Sequence, residues 1–149
     1  MEKICFKENN TKIYDREITR GDLILVNFPD VGGSVQAGVR PAIVVQNNIG
    51  NKYSSCLIVA PLTSNISKNK TYFPTHVLLN KTSGVAKTSV VLCEQLATIS
   101  KTKIISYLGH LTPNEMRRIS QAICISLALT SHDVSANQKL AWLLTVLLV

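Results

Sequence analysis

The sequence predicts a mainly β protein, an all-β sheet or small barrel of short strands with one helix packed on it. Five segments rich in Val, Ile and Leu are separated by clusters of Gly, Asn, Ser, Pro and Lys, which is typical of successive strands. One later segment has apolar residues at helical spacing instead. With 149 residues, the chain is long enough for one domain with a sizeable core.

The predicted strands come first in the chain. They are 21–28, 40–48, 55–63, 73–79 and 89–99. The sequence "NNIGN" (47–51) predicts a turn between the second and third strands, since Asn and Gly tolerate positive φ. The segment 103–111 fits either a further strand or a helical turn.

The predicted helix covers residues 112–129. Thr112 is a suitable N-cap, Pro113 follows at the first helical position, and Glu115 completes a capping box. Four apolar residues then repeat at three- and four-residue spacing, namely Met116, Ile119, Ile123 and Leu127. We therefore expect this helix to pack its apolar face on the sheet.

The domain organisation follows from shifts in composition. Residues 1–19 are polar, without a clear period, and are predicted to be an extension before a domain that covers 20–129. A polar linker and the apolar sequence "LAWLLTVLLV" occupy 130–149. This apolar tail is shorter than the roughly 20 residues that span a bilayer, so no membrane partner is expected. We expect it to pack on the domain or in an oligomer contact; the alternatives are association with a membrane surface and a non-native terminal sequence.

The net charge of +7 indicates an anionic partner, although a merely solvated basic surface would give the same total. The four cysteines, Cys5, Cys56, Cys93 and Cys124, are far apart and form no C-x-x-C pair, which argues against zinc. Three of them lie in apolar runs, as reduced, buried thiols do. The first residues lack the apolar region of a signal peptide, so we expect a cytoplasmic protein.

Four polar residues near strand ends are candidates for chemistry, because loops on a rigid scaffold usually carry function. Arg40 has a guanidinium that can bind a phosphate through two parallel hydrogen bonds, or that forms an ordinary surface ion pair. Thr63 ends the third strand, where its hydroxyl either meets a ligand or caps the strand. Ser34 and Gln36 lie in the glycine-containing loop before Arg40 and are either further donors or solvated.

Other polar residues interrupt the later apolar segments. His76 is either a satisfied strand histidine or a base. Glu94 and Gln95 are adjacent in a predicted strand, so we expect their side chains on opposite faces, one in a buried hydrogen bond and one in a groove. Lys70 lies beside aromatic residues in "SKNKTYFP" (67–74), a mixture typical of grooves for single-stranded nucleic acid. No familiar enzyme signature, such as G-x-S-x-G or H-E-x-x-H, is present.

The order of these segments resembles the MazF/PemK family of toxin endoribonucleases. The resemblance is carried by "RGDLILVNFP", "GSVQAGVRPAIVVQNN", "IVAPLTS", "PTHVLL", "SVVLCEQLATI" and the closing helix, from about Arg20 to Leu129. It implies an SH3-like β-barrel of the MazF/CcdB/Kid type with a C-terminal helix packed on the sheet. It also implies a homodimer that causes growth arrest by cutting single-stranded RNA at specific sequences, without a metal or other cofactor.

The family's partners are also implied by the resemblance. A cognate antitoxin covers the RNA groove, and the toxin–antitoxin complex contacts operator DNA through the antitoxin. Two other functions fit the same barrel: a gyrase-binding toxin of the CcdB type, and a non-catalytic RNA-binding module. Only RNA carries the 2′-hydroxyl that the nuclease reaction needs, so cleavage of RNA but not of matching DNA separates the nuclease from both.

The resemblance assigns the catalytic positions to Arg40 and Thr63, and it assigns Ser34 and Gln36 to the edge of the substrate groove. The predicted substrate-binding residues are Ser34, Gln36, Gln95, Lys70 and His76. In the cleavage reaction that the resemblance implies, the ribose 2′-hydroxyl attacks the adjacent phosphorus, Arg40 stabilises the growing charge and Thr63 donates a hydrogen bond. The chain departs from the family at Val35, where many members have Glu, so any contribution of that carboxylate is missing here.

Overall fold

The fold, described by a computed structural model over residues 16–66, 73–80 and 85–129, consists of seven strands and two helices. The strands are β1 (Asp22–Phe28), β2 (Gly38–Val44), β3 (Cys56–Thr63), β4 (His76–Leu79), β5 (Ser89–Leu92), β6 (Ala97–Ser100) and β7 (Ile104–His110). The helices are α1 (Asn48–Tyr53) and α2 (Pro113–Ser126), and a short 3-10 turn covers Lys101–Lys103.

The strands form one antiparallel sheet in the order β4-β5-β3-β2-β1-β7, and β6 pairs with the first half of β3. Within the described residues β4 and β7 are the two ends of this order, so the sheet does not close into a ring. The prediction of a mainly β fold with a C-terminal helix on the sheet is confirmed.

Both faces of the sheet are buried, because strand residues alternate between two cores. Along β1, Leu23 enters the core that α2 covers, while Ile24 and Val26 enter the second core. We call the first the helix-side core and the second the strand-side core. The strand-side core also contains residues of β2, β3, β6 and β7, among them Ala42, Val44, Leu57, Val59, Ile99 and Ile104.

Two predicted elements differ from the structure. The turn predicted at 47–51 is the start of α1, because the Asn47 side chain accepts a hydrogen bond from the Gly50 N–H at 2.8 Å and caps a helix there. The single strand predicted over 89–99 is two strands, β5 and β6, with a turn between them in which the Gln95 N–H bonds the Leu92 carbonyl at 3.1 Å. The ambiguous segment 103–111 is the strand β7.

The capping box of α2 is confirmed. The Thr112 hydroxyl accepts from the Glu115 N–H at 3.3 Å, and the Glu115 carboxylate accepts from the Thr112 N–H at 2.8 Å. Ile119 is fully buried in the helix-side core, and Met116 and Ile123 pack against it. Leu127 was predicted on the same face but is 53% exposed, because the helix ends at Ser126 and the chain leaves the sheet.

The cysteines are only partly as predicted. Cys93 is buried, and this burial raises the pKa of its thiol to about 12, so it stays protonated at neutral pH. Cys56 is half-buried, whereas Cys124 lies exposed on α2, so the expectation of a buried thiol is wrong there. Cys5, residues 1–15 of the predicted extension 1–19, and the linker and apolar tail at 130–149 lie outside the described residues. No helix within the described ranges is long and apolar enough to cross a membrane.

A buried acid fixes the start of the domain. Asp22 is fully buried at the head of β1, and its carboxylate accepts from the Thr19 N–H at 2.8 Å and bonds His110 Nδ1 at 2.7 Å. Arg16 donates to the same carboxylate at 3.3 Å and stacks over the Tyr107 ring, 3.9 Å from its centroid. These contacts join the chain entering β1 to the edge strand β7.

Candidate active site

Arg40 and Thr63 lie on neighbouring strands at the end of the strand-side core. The β2–β3 register pairs Ala42 with Pro61, and extending it by two residues sets Arg40 opposite Thr63. Directly opposed residues share a face, so both side chains stand on the same face as Ala42 and Val59, just beyond the point where the apolar packing stops. The sheet therefore brings together the two predicted catalytic residues.

Around this pair is an open groove of about 360 Å³, which we call the catalytic groove. Its polar lining consists of Arg40, Thr63, Ser64, Asn65, Lys87 and Ser89. The described residues that line it include two cations and no carboxylate, an arrangement that favours an anion. Lys87 and Asn65 were not identified from the sequence, because each lies in an ordinary polar loop and only the fold brings it to the groove.

The Arg40 guanidinium is oriented by its own loop. Its Nε and Nη2 donate to the Ala37 carbonyl at 2.9 and 2.6 Å, and Nη1 donates to Gln36 Oε1. A guanidinium has five N–H groups, so within the described part of the chain one hydrogen on Nη1 and one on Nη2 stay available. Gly38, at φ +76°, supplies the left-handed turn that carries the chain from Ala37 into β2.

The loop is braced by a residue that is distant in sequence. Gln95, in the turn between β5 and β6, accepts from the Gln36 N–H at 2.9 Å and donates to the Ser34 carbonyl at 3.3 Å. Four predicted residues, Ser34, Gln36, Arg40 and Gln95, thus belong to one hydrogen-bonded network. Ser34 takes part through its main chain, and Gln95 positions the loop that holds Arg40.

The Thr63 hydroxyl is half-exposed at the end of β3. Its oxygen accepts from the Asn65 N–H at 3.3 Å, which is the strand-end capping contact considered above. A hydroxyl that accepts in this way keeps its proton for donation, so Thr63 can still donate a hydrogen bond to an anion in the catalytic groove. The two interpretations of Thr63 are therefore compatible.

His76 and Glu94 form a pair beside this network. His76 Nε2 lies 2.9 Å from Glu94 Oε1, and the Phe73 ring packs edge-on against the imidazole with centroids 5.2 Å apart. The expectation that Glu94 and Gln95 point to opposite faces of a strand is wrong, because both lie in the turn that separates β5 from β6. Neither makes the buried bond that was expected; Glu94 is 36% exposed and Gln95 is half-buried.

A second concavity of about 400 Å³ adjoins the network, and we call it the side pocket. Its lining includes Phe28, Val35, Gln36, Pro61, Glu94 and Gln95. Val35, the position at which the chain departs from the family, is 54% exposed and opens onto this pocket. Lys70 lies outside the described residues. Within the described ranges, no three side chains of His, Cys, Asp or Glu are close enough to hold a metal ion.

Comparisons with known proteins identify the family to which the sequence is similar. Residues 19–127 match the family described as PemK-like, MazF-like toxin of type II toxin-antitoxin system. The endoribonuclease MazF of Staphylococcus saprophyticus is 42% identical over 120 residues, which cover 80% of this chain and 97% of that protein.

Two solved structures are also similar. A mycobacterial endoribonuclease in complex with its cognate antitoxin has a TM-score of 0.62 at 26% identity, covering 76% of this chain and 97% of that one. MazF of Deinococcus radiodurans has a TM-score of 0.66 at 23% identity, covering 77% of this chain and all of that one (100%), and supports the fold alone.

Proposed function

The chain belongs to the PemK-like, MazF-like family of type II toxins, and from this premise we propose how its catalytic groove acts on RNA. The protein is a toxin endoribonuclease of a toxin–antitoxin system. We infer that its substrate is single-stranded RNA and that the backbone of the strand runs through the catalytic groove. The observation that carries this inference is the Arg40 guanidinium, held by its loop with two N–H groups available, in the groove that Thr63 also lines.

The proposed reaction is an internal transfer at one phosphate. The ribose 2′-oxygen attacks the phosphorus as the bond from phosphorus to the 5′-oxygen breaks. The 2′-hydroxyl gives up its proton to solvent, and the leaving 5′-oxygen takes one proton from solvent and becomes a hydroxyl. The products are a 2′,3′-cyclic phosphate and a 5′-hydroxyl end. The two available N–H groups of Arg40 can donate to phosphoryl oxygens, and fixed donors of this kind stabilise charge that develops in the transition state.

The partners proposed for this chain follow from the family. A cognate antitoxin is its protein partner, as in the mycobacterial complex. We propose that the antitoxin covers the catalytic groove, that two copies of the chain form the active unit, and that operator DNA is contacted through the antitoxin. The net charge of +7 supports contacts with an anionic polymer.

The test of this function compares RNA with DNA of the same sequence. We expect purified protein in EDTA to cut a long single-stranded RNA at discrete sites and to leave the DNA intact, because DNA lacks the attacking 2′-hydroxyl. End mapping should identify cyclic phosphates. Cleavage of both polymers would contradict the proposed attack, and cleavage of neither would favour the gyrase-binding or RNA-binding alternatives.

The Thr63 hydroxyl is tested by Thr63→Val, which keeps the branched shape of the side chain in β3. We expect RNA cleavage to fall about ten- to hundredfold, since one donor to the transition state is lost. Thr102→Val is the matched control, because it makes the same substitution away from the groove. Thr102 lies in the 3-10 turn that follows Ser100, and Ser100 pairs with Cys56, at the end of β3 opposite to Thr63. Equal rates for the two variants would remove Thr63 from the reaction.

A further inference from the structure

We propose that the side pocket binds a nucleobase adjacent to the scissile phosphate, and that Glu94 selects a base that carries an exocyclic amino group. This inference rests on the RNA cleavage proposed above and adds a specificity-determining residue to it.

A hydrogen bond between two side chains connects the side pocket with the catalytic groove. Gln36 lines the side pocket and Arg40 lines the catalytic groove, and Gln36 Oε1 accepts from Arg40 Nη1. A phosphate held by Arg40 would therefore lie next to the side pocket. In single-stranded RNA the unstacked base next to a bound phosphate is free to turn into such a pocket.

The walls of the side pocket suit a flat aromatic ring. Phe28, Val35 and Pro61 supply apolar surface, while polar side chains are confined to Gln36, Glu94, Gln95 and Thr98. The volume of about 400 Å³ lies within the range of small-ligand sites, which combine apolar walls with a few polar groups that fix orientation. A nucleobase has this composition, with apolar faces and a polar edge.

Glu94 provides the selective contact. His76 holds its Oε1 at 2.9 Å, and among the described residues Oε2 has no hydrogen-bond partner. An ionised carboxylate accepts hydrogen bonds and donates none. Adenine, cytosine and guanine each offer an exocyclic amino group to such an oxygen. Uracil has no amino group, and its one Watson–Crick donor, N3–H, is flanked by two carbonyl oxygens that would face the carboxylate. The pocket therefore favours the amino-bearing bases over uracil.

The position of Glu94 argues for recognition of a base and against a role at the reacting hydroxyl. Glu94 lines the side pocket and is absent from the residues that line the catalytic groove around Arg40 and Thr63. Its partner His76 is the first residue of the edge strand β4. The carboxylate is thus held in the side pocket, which the Gln36 side chain links to Arg40.

The experiment measures base preference around the cut. A pool of randomised single-stranded RNA is digested by the wild-type protein, by Glu94→Gln and by Glu17→Gln, and the cleaved sites are sequenced. Glu17→Gln is the control, since it removes the same charge from an exposed residue ahead of β1. The Gln amide both donates and accepts, so it tolerates a uracil carbonyl.

In Glu94→Gln, we expect the preference for cytosine over uracil at one position near the cut to fall at least about tenfold. A change of this size corresponds to the loss of one hydrogen bond to a charged group. Preferences elsewhere, and those of Glu17→Gln, should match the wild type. An unchanged preference at every position would overturn the proposal, and so would an equal loss of cleavage at all sequences, which would assign Glu94 to the reaction or to the fold.

The two proposals fail in different ways. Cleavage by the wild-type protein upholds the nuclease function whatever Glu94 does. If the wild type cuts nothing, the nuclease function fails. The base site is then tested by comparing the affinities of the protein for two RNA oligonucleotides that differ only by a cytosine-to-uracil change. A cytosine preference in binding that disappears in Glu94→Gln supports the base site, and its absence rejects it.

Discussion

Replacing Arg40 by alanine is expected to lower RNA cleavage at least about a hundredfold while the fold stays intact. The guanidinium is half-buried and contacts only Gln36 and Ala37 among the described residues, so its removal leaves no buried charge behind. Removing one well-placed donor to a developing anion typically costs about 3 to 4 kcal/mol in the barrier, which accounts for this factor. The rate is measured on a single defined RNA under single-turnover conditions.

The matched control is Arg118→Ala, which removes an exposed arginine of α2 whose one described contact is the Leu78 carbonyl at 3.2 Å. It changes the net charge equally and should keep nearly the full rate. A third variant, Arg40→Lys, retains the charge but loses the paired N–H groups, so we expect it to stay well below the wild type. Near-normal cleavage by Arg40→Ala would refute the assignment of Arg40 to the phosphate.

Replacing Asp22 by alanine is expected to lower the free energy of unfolding by about 2 to 3 kcal/mol. The carboxylate is fully buried and is the acceptor for the Thr19 N–H, the His110 ring and the Arg16 guanidinium, all of which lose it together. Urea denaturation followed by circular dichroism measures the change. Since Asp22 lies at the start of β1 and Arg40 pairs with Val26 near its other end, cleavage by the folded fraction should be retained.

Asp30→Ala serves as the comparison for this second prediction. Like Asp22, Asp30 accepts a hydrogen bond from a backbone N–H, here that of Gly32 at 2.9 Å. Unlike Asp22, it is exposed, in the β1–β2 loop. We expect its loss to cost less than about 1 kcal/mol, as is usual for surface positions. Equal losses for the two variants would show that burial of the Asp22 network contributes nothing.

The strands that the sequence predicted best are those buried on both faces. In β1 and β3 nearly every residue is apolar because one core or the other receives it, and such runs are visible without knowledge of the fold. The break between β5 and β6 could not be seen in this way. Cys93, Glu94 and Gln95 continue the apolar pattern only loosely, and the turn is fixed by Gln95 bonds to a loop 59 residues away in sequence.

Part of the candidate site could be predicted from residue type, but its connectivity could not. Arg40 and Thr63 were identified by residue type and resemblance, yet their opposition depends on the β2–β3 register, which no local pattern encodes. The same holds for Gln95, which was predicted to bind substrate: it lines the side pocket, and it also braces the loop that holds Arg40. Lys87 joins the groove only because β5 follows it into the sheet beside β3.

The way in which Arg40 is held also bears on how this toxin can change over generations. Its Nε and Nη2 rest on the carbonyl of Ala37, a main-chain group that every amino acid at position 37 would supply. Side chains around it, such as Val35 and Val39, are exposed and take no part in that contact. Inherited substitutions at Val35 and Val39 would therefore alter the outer surface while the contacts of Arg40 with the Ala37 carbonyl persist, which separates the evolution of that surface from the evolution of the chemistry.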